Sequence, residues 1–403
     1  MSELASKVEE LVRISLPQPK RAKDWELGNA VRAVMAAYDN NDAEGITTSI
    51  KLLDAGLQKA KEERAQVILR LALGVLVEAG APADLAWPTA ERGFMDTLKL
   101  ATRYANIALQ EQDTPSITEA IRFGGQEFEL ARPKEHAAWK SLKSRALLAS
   151  ACVAHSAKLR AHVMKNCREL VDACEEFELD IEPLLFFRQL ARVLPEQTML
   201  AIHPGQRRGV RVTVREVATN LELYVLLADA VLGDTKKGFI EGRRPNAKAL
   251  KMMTDPAYAP KENPEVTLPF HLANWTAANA DGTVQAPDDQ PPRSWIGYEG
   301  VPLEIMAFEG ERVLLFQKPM MARALPVEGT FDTLTPRVTV RSKLSATEVD
   351  ALLLRMGKAA VKVNAKAVAE EAAFHIRERK RWEAMVKRAQ REKATKATAR
   401  KKR

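Results

Sequence analysis

From the first residues to about position 195, apolar side chains recur three and four positions apart with charged ones between them. That spacing lines one face of an α-helix, so this stretch can fold only by packing helix against helix. "ERAQVILRLALGVLVEAG" at 63–80 and "TAERGFMDTLKLATRYANIAL" at 89–109 carry the pattern most clearly. Short breaks separate the runs: "LPQPK" at 16–20, "NND" at 40–42, "AGAPAD" at 79–84 and "QDTPS" at 112–116. Each break holds the Pro, Gly, Asn or Asp that ends or caps a helix. Connections this short turn successive helices antiparallel, which predicts a bundle or a short α-solenoid. No consensus repeats along the run, so no particular repeat family is implied.

The texture changes near Pro195. "TMLAIHPGQRRGVRVTV" sets two strand-like runs on either side of "PGQRRG", the pattern of a β-hairpin. In "TNLELYVLLADAVLG", Thr219 and Glu222 form a capping box and Gly233 stands where the helix should stop. That helix is apolar almost all round, which predicts burial. Beyond it, short strands are expected at "EVTLPFH", "IMAF", "RVLLFQ" and "RVTV", separated by loops rich in Pro, Gly and Asp. Ser345 and Glu348 make a second capping box, opening a helix over 346–356 that Gly357 should end. A further long helix is expected to run through "HIRERKRWEAMVKRAQREK" to a frayed end. The expected fold class is multidomain α plus α+β. An all-helical scaffold would span 1–195, an α+β module with antiparallel hairpins 196–345, and C-terminal helices with a basic tail 346–403.

No run of 18 or more apolar residues exists, so no membrane-spanning helix is expected. The first fifteen residues lack the basic flank and apolar core of an export signal. The three cysteines, Cys152, Cys167 and Cys174, are odd in number and close in sequence, which argues against a disulfide framework. A reducing cytoplasm is the expected compartment.

The net charge of +8 is unevenly distributed. Residues 377–403 hold thirteen Lys or Arg and three Glu, a net of +10, which leaves −2 for everything before them. The polyanion-binding candidates are therefore in the tail: Arg377, Arg379, Lys380, Arg381, Lys387, Arg388, Arg391 and Lys393. Trp382 is the sole aromatic among them, so base stacking has little to work with.

The familiar phosphate loops, zinc-protease helices, CxxC pairs, nucleophile elbows and calcium loops are all absent from the sequence. The remaining candidates for chemistry are isolated groups. Cys152 and His155, three apart on a helix, could begin a metal site, although small apolar packing explains the cysteines as simply. Arg207 and Arg208 beside Gly209, and Arg243 and Arg244 after Gly242, could hold a phosphate or carboxylate, or could be solvated turn residues. His271, Glu299 and Glu304 are the acid–base candidates. Glu299-Gly300 and Glu309-Gly310 also read as tight turns; Glu304 has no turn to account for it. No cofactor is implied.

"HPGQRRGVRVTV", "NLELYVLLADAVLG", "GRRP", Asn274-Trp275, "WIGYEGVP" and "FEGERVLL" follow one another in that order. Over about 203–320 the chain resembles a C-terminal module of uncharacterised bacterial proteins that also have helical N-terminal regions. The resemblance implies one folded module and carries no activity. The residues favour a non-enzymatic binding protein, with a protein partner and with nucleic acid or an acidic surface bound through the tail. The alternatives are an enzyme or small-anion binder with its site in the module, and an immunity-type inhibitor of one protein target.

Overall fold

The fold is that of a computed structural model. It describes residues 2–16, 23–112, 116–177, 180–258, 260–262, 264–267, 271–275, 300–317, 324–326 and 331–359. The described elements of the N-terminal half are helices: α1 (Glu3–Ser15), α2 (Asp24–Ala36), α3 (Ala43–Lys59), α4 (Glu63–Glu78), α5 (Ala83–Glu91) and α6 (Phe94–Gln112). There follow α7 (Ile117–Ala131), α8 (Pro133–His155), α9 (Ala157–Asn166), α10 (Arg168–Ala173) and α11 (Glu182–Ala191). Short polar side chains start several of them. Ser2, Asp42, Ser116 and Ser156 each accept from a backbone N–H three residues on. Each such cap stabilises its helix by about 1 kcal/mol.

The centre of this half is α8, which packs against α4, α5, α6 and α11. Its buried positions are largely small, among them Ala146, Ala149, Ser150 and Ala151, so neighbouring helices can approach it closely. Phe187 of α11 is fully buried, with its ring 6.3 Å from Trp87 and 5.7 Å from Phe94.

Two stretches that read as single helices are divided. The 89–109 run breaks at Arg92 and Gly93, where glycine adopts φ 66°, a conformation that costs other residues a steric clash. The periodicity from Cys152 to Cys174 reads as one helix, with the cysteines, His155 and His162 on one broad face. That stretch is cut at Ser156, which caps α9, and again at Cys167, so the shared face is not formed.

The C-terminal half is built on a mixed sheet. β1 (Glu196–His203) and β2 (Arg208–Arg215) form the expected antiparallel hairpin, joined by a 3₁₀ turn at Pro204–Gln206. The His203 Nδ1 accepts from the Gln206 N–H at 3.2 Å, and burial holds the imidazole below its ordinary pKa, in the neutral form that can accept. The remaining strands are β3 (Glu265–Thr267), β4 (His271–Asn274), β5 (Ala307–Phe308), β6 (Glu311–Gln317), β7 (Ala324–Pro326) and β8 (Arg337–Leu344). The main sheet runs β4–β6–β1–β2–β8, with β5 also on β6, while β3 and β7 pair separately. Among the described strands of the main sheet, β1 and β6 are parallel and the other pairs are antiparallel.

Alternation along the strands buries both faces of the sheet. Met199, Ala201, Leu314 and Phe316 face α12 (Asn220–Val231) and α13 (Ala247–Thr254). Leu200, Ile202, Val313 and Leu315 pack with Val349, Leu352, Leu353 and Met356 of α14, helical over 346–359. The Ser345–Glu348 capping box forms as expected, with Ser345 N–H donating to Glu348 at 2.7 Å. Gly357 does not end α14, since the helix continues through it to residue 359. Glycine costs a helix interior only about 1 kcal/mol, which the packed face of α14 offsets.

The two halves share core residues. Ala218 and Leu334 are buried within the helical core, and Phe186 meets Phe331 edge-on with centroids 6.0 Å apart. Among the described residues, no helix is long and apolar enough to cross a membrane.

Candidate functional site

At the seam between the halves, polar side chains gather near Glu304, a residue singled out from sequence. That residue ends a 3₁₀ turn at Pro302–Glu304 rather than approaching a strand directly. Its Oε1 accepts from Arg192, at the C-terminus of α11, at 2.7 Å. Beside it, Arg312 of β6 donates to Gln197 Oε1 at 2.6 Å and to the Leu303 carbonyl at 3.2 Å. Burial lowers the Arg312 pKa. Asn220 opens α12, and its N–H donates to the Gly300 carbonyl at 2.8 Å. A Cβ on Gly300 would lie 2.4 Å from the side-chain Nδ2 of buried Asn220, so a larger residue fits only if that side chain shifts. Gly300→Ala is expected to cost about 1–3 kcal/mol, read as a lowered thermal midpoint; an unchanged midpoint would contradict the close approach.

A second bridge lies on the same seam. Arg160 of α9 is 1% exposed. It donates to the Val153 and Ala154 carbonyls at the end of α8 at 3.0 and 3.1 Å, and to Glu216 Oε1 at 3.3 Å. Glu216 follows β2 in a left-handed conformation, φ 54°. Its backbone N–H donates to the Leu194 carbonyl at 3.2 Å, and its Oε2 accepts from the Thr335 N–H at 3.1 Å. The Glu216 carboxylate thus ties α9 to the lead into β8, and its backbone N–H adds the link after α11. Burial pulls the Arg160 pKa down, and the Glu216 charge pulls it back up.

The arginine candidates lie elsewhere in the module. The turn carrying Arg207 and Arg208 does meet the turn carrying Arg243 and Arg244, because Gln206 Oε1 accepts from the Glu241 N–H at 2.8 Å. Arg207 is tied through Nε and Nη2 to Asp350 of α14. Arg244 donates to the Leu232 carbonyl at 3.0 Å and stands 3.9 Å from Asp229. The side chains of Arg208 and Arg243 have no polar partner among the described residues.

Of the acid–base candidates, Glu304 lies with Arg192 and not with these arginines. His271 stands in β4, opposite Gln317, at the far edge of the sheet from β2. Glu299 and the tail from 377 lie outside the described residues. Glu309 and Gly310 form the expected hairpin turn between β5 and β6, with φ 50° and 87° at the two positions. Positive φ at both central residues matches the right-handed twist of paired strands. Glu309 is then held by Arg355 of α14 through two bonds of 3.2 Å.

Cys152 is fully buried, and burial pushes its thiol up to about 12, with Glu78 and Asp84 adding to the effect. His155 ends α8 with Nε2 2.8 Å from Glu78. Metal coordination needs a thiolate, which this environment opposes. Among the described residues, no three His, Cys, Asp or Glu are placed to hold a metal ion. Cys167 is likewise pushed up to about 12, by burial first and then by its 3.1 Å hydrogen bond to Glu91. All three cysteines are buried as free thiols. A disulfide-exchange reagent at pH 8 should therefore label fewer than one thiol per native chain and all three after denaturation. Rapid native labelling would refute the burial.

Comparison with family models, with curated proteins and with solved structures finds no match to this chain.

Proposed function

We propose that this chain is a non-enzymatic binding protein. Its helical scaffold presents an α+β recognition module, and residues 377–403 engage a polyanion, with the nucleic-acid backbone as the simplest instance. The observation carrying this reading is the contrast between module and tail. In the module, Glu304, Arg207 and Arg244 are engaged by Arg192, Asp350 and the Leu232 carbonyl, which leaves Arg208 and Arg243 as the two arginine candidates there unengaged among the described residues. The tail holds the chain's whole positive excess, +10 in 27 residues against −2 elsewhere. Charge concentrated in this way supports binding to phosphate backbones without sequence preference. The likeness over 203–320 adds the expectation that the recognition module recurs in other chains with their own helical scaffolds. The test is binding to a short DNA duplex across a salt series, by the full chain and by a chain ending at residue 376. Equal binding by the two would refute the role of the tail.

A further inference from the structure

A separate charged cluster lies in the helical half, where α3, α4, α5 and α8 surround a pocket of about 120 Å³. Three arginines line it, Arg70, Arg92 and Arg145, together with Gln58, Gln66 and Thr89. Gln58 and Arg92 are exposed at its rim. Arg70 is only 6% exposed. It donates to two neutral groups, Ser144 Oγ at 3.3 Å and Gln66 Oε1 at 2.9 Å. Arg145 is half-buried and donates to the Arg92 carbonyl at 2.8 Å. Its buried Nε has no hydrogen-bond partner, a feature it shares with Arg160, so the missing carboxylate is what sets it apart.

The charges in this cluster do not balance. Asp54 is the carboxylate at hand, and it is taken by Arg92 at 2.7 and 3.3 Å, by Thr89 at 2.7 Å and by Gln58 at 2.8 Å. Arg70 and Arg145 have no carboxylate partner among the described residues. Buried charges are ordinarily paired, because an isolated one loses its hydration without return. The same protein shows the ordinary solution at Arg160, where Glu216 and two helix-end carbonyls surround the guanidinium. At the pocket the strain is evident in Arg70, whose pKa falls to about 9 through burial and then through repulsion from Arg145. Burial lowers Arg145 as well.

Two uncompensated guanidiniums facing one small cavity match a ligand group with two negative charges and several acceptor oxygens. Planar Arg forks bind such oxygens in pairs. A carboxylate would neutralise only one of the two charges. We propose that this pocket binds a phosphoryl group, as free phosphate or as a small phosphomonoester, between Arg70, Arg145 and Arg92. The proposal is independent of the tail, which lies outside the described residues and binds by charge density alone.

The test is thermal unfolding and titration calorimetry of the full chain at pH 7.5 in inorganic phosphate, against chloride at matched ionic strength. Binding only to the folded state raises the midpoint, and at 10 mM phosphate a rise of about 3 °C or more is expected. Arg145→Met should abolish that rise while keeping the far-UV spectrum of the native chain. Arg145→Lys, which retains charge without the planar fork, should bind phosphate at least about fivefold more weakly than the native chain. Glycerol phosphate in place of phosphate separates the two sources: a rise as large as that with phosphate identifies an ester ligand, and a smaller one identifies the free ion. The native chain and both variants carry the same tail, so a rise identical in all three belongs to the tail and overturns the pocket. No rise in the native chain overturns it equally. Neither result alters the duplex-binding comparison, which is read on a different variant.

Discussion

Glu216→Ala is expected to destabilise the chain by about 3–5 kcal/mol, because it leaves a buried guanidinium without its counter-charge. Arg160 is 1% exposed and cannot reach water to recover the loss. The same substitution strips the Thr335 N–H of its acceptor, while the bond from residue 216's own N–H to Leu194 survives. The measurement is urea unfolding followed by both near- and far-UV signals. The native chain should give coincident transitions, and Glu216→Ala should lower the midpoint and separate them as the module loosens from the helical half. Two companions make the attribution specific. Glu216→Gly should be less harmful than the alanine variant by about 1 kcal/mol, since φ 54° suits glycine. Arg160→Met combined with Glu216→Ala should be milder than Glu216→Ala alone, because removing both charges removes the unpaired one. A double variant worse than the single would refute a charge-based role for the pair.

Removing residues 377–403 carries the largest expected effect on binding. If six to ten of the thirteen cations meet phosphates, affinity for a duplex falls about 10³- to 10⁵-fold between 50 and 200 mM salt. The truncated chain carries a net charge of −2, so that term vanishes and measurable binding should be lost even at low salt. Replacing Arg377, Arg379, Lys380 and Arg381 by glutamine in the full chain should flatten the salt slope by up to about four units on a log–log plot. A slope unaffected by these four changes would mean that the contacts lie elsewhere. Single-stranded and duplex forms should bind by charge alike, since Trp382 is the one aromatic available for stacking in that segment.

Much of the local structure was legible before any coordinates. The hairpin around Pro204–Gln206, the buried helix after Thr219, the Ser345 cap and the Glu309-Gly310 turn are all present. The charged sites were less legible, although a signal for them existed. Arg70 shares a helical stripe with Leu73 and Val77, both fully buried, and Arg145 shares one with Leu142, Ala149 and Cys152, also fully buried. A charge on an apolar stripe is at least partly buried, and such charges need partners. The sequence pattern marks those positions, yet it cannot name what faces them.

Helix periodicity, caps and turn chemistry operate within a few residues of one another, so the amino-acid order alone determined where most elements begin and end. The distant partners of the charged groups were decided only by the tertiary structure. Arg160 meets a carboxylate 56 positions away, Arg192 meets Glu304 across 112, and Arg70 reaches Ser144 across 74. Nothing in the local pattern of either member specifies such pairs. They arise when apolar faces pack, because packing removes the water that would otherwise satisfy each charge and leaves it whichever neighbour the fold supplies. At Arg160 the fold supplies Glu216. At Arg70 and Arg145 it supplies another guanidinium and a cavity.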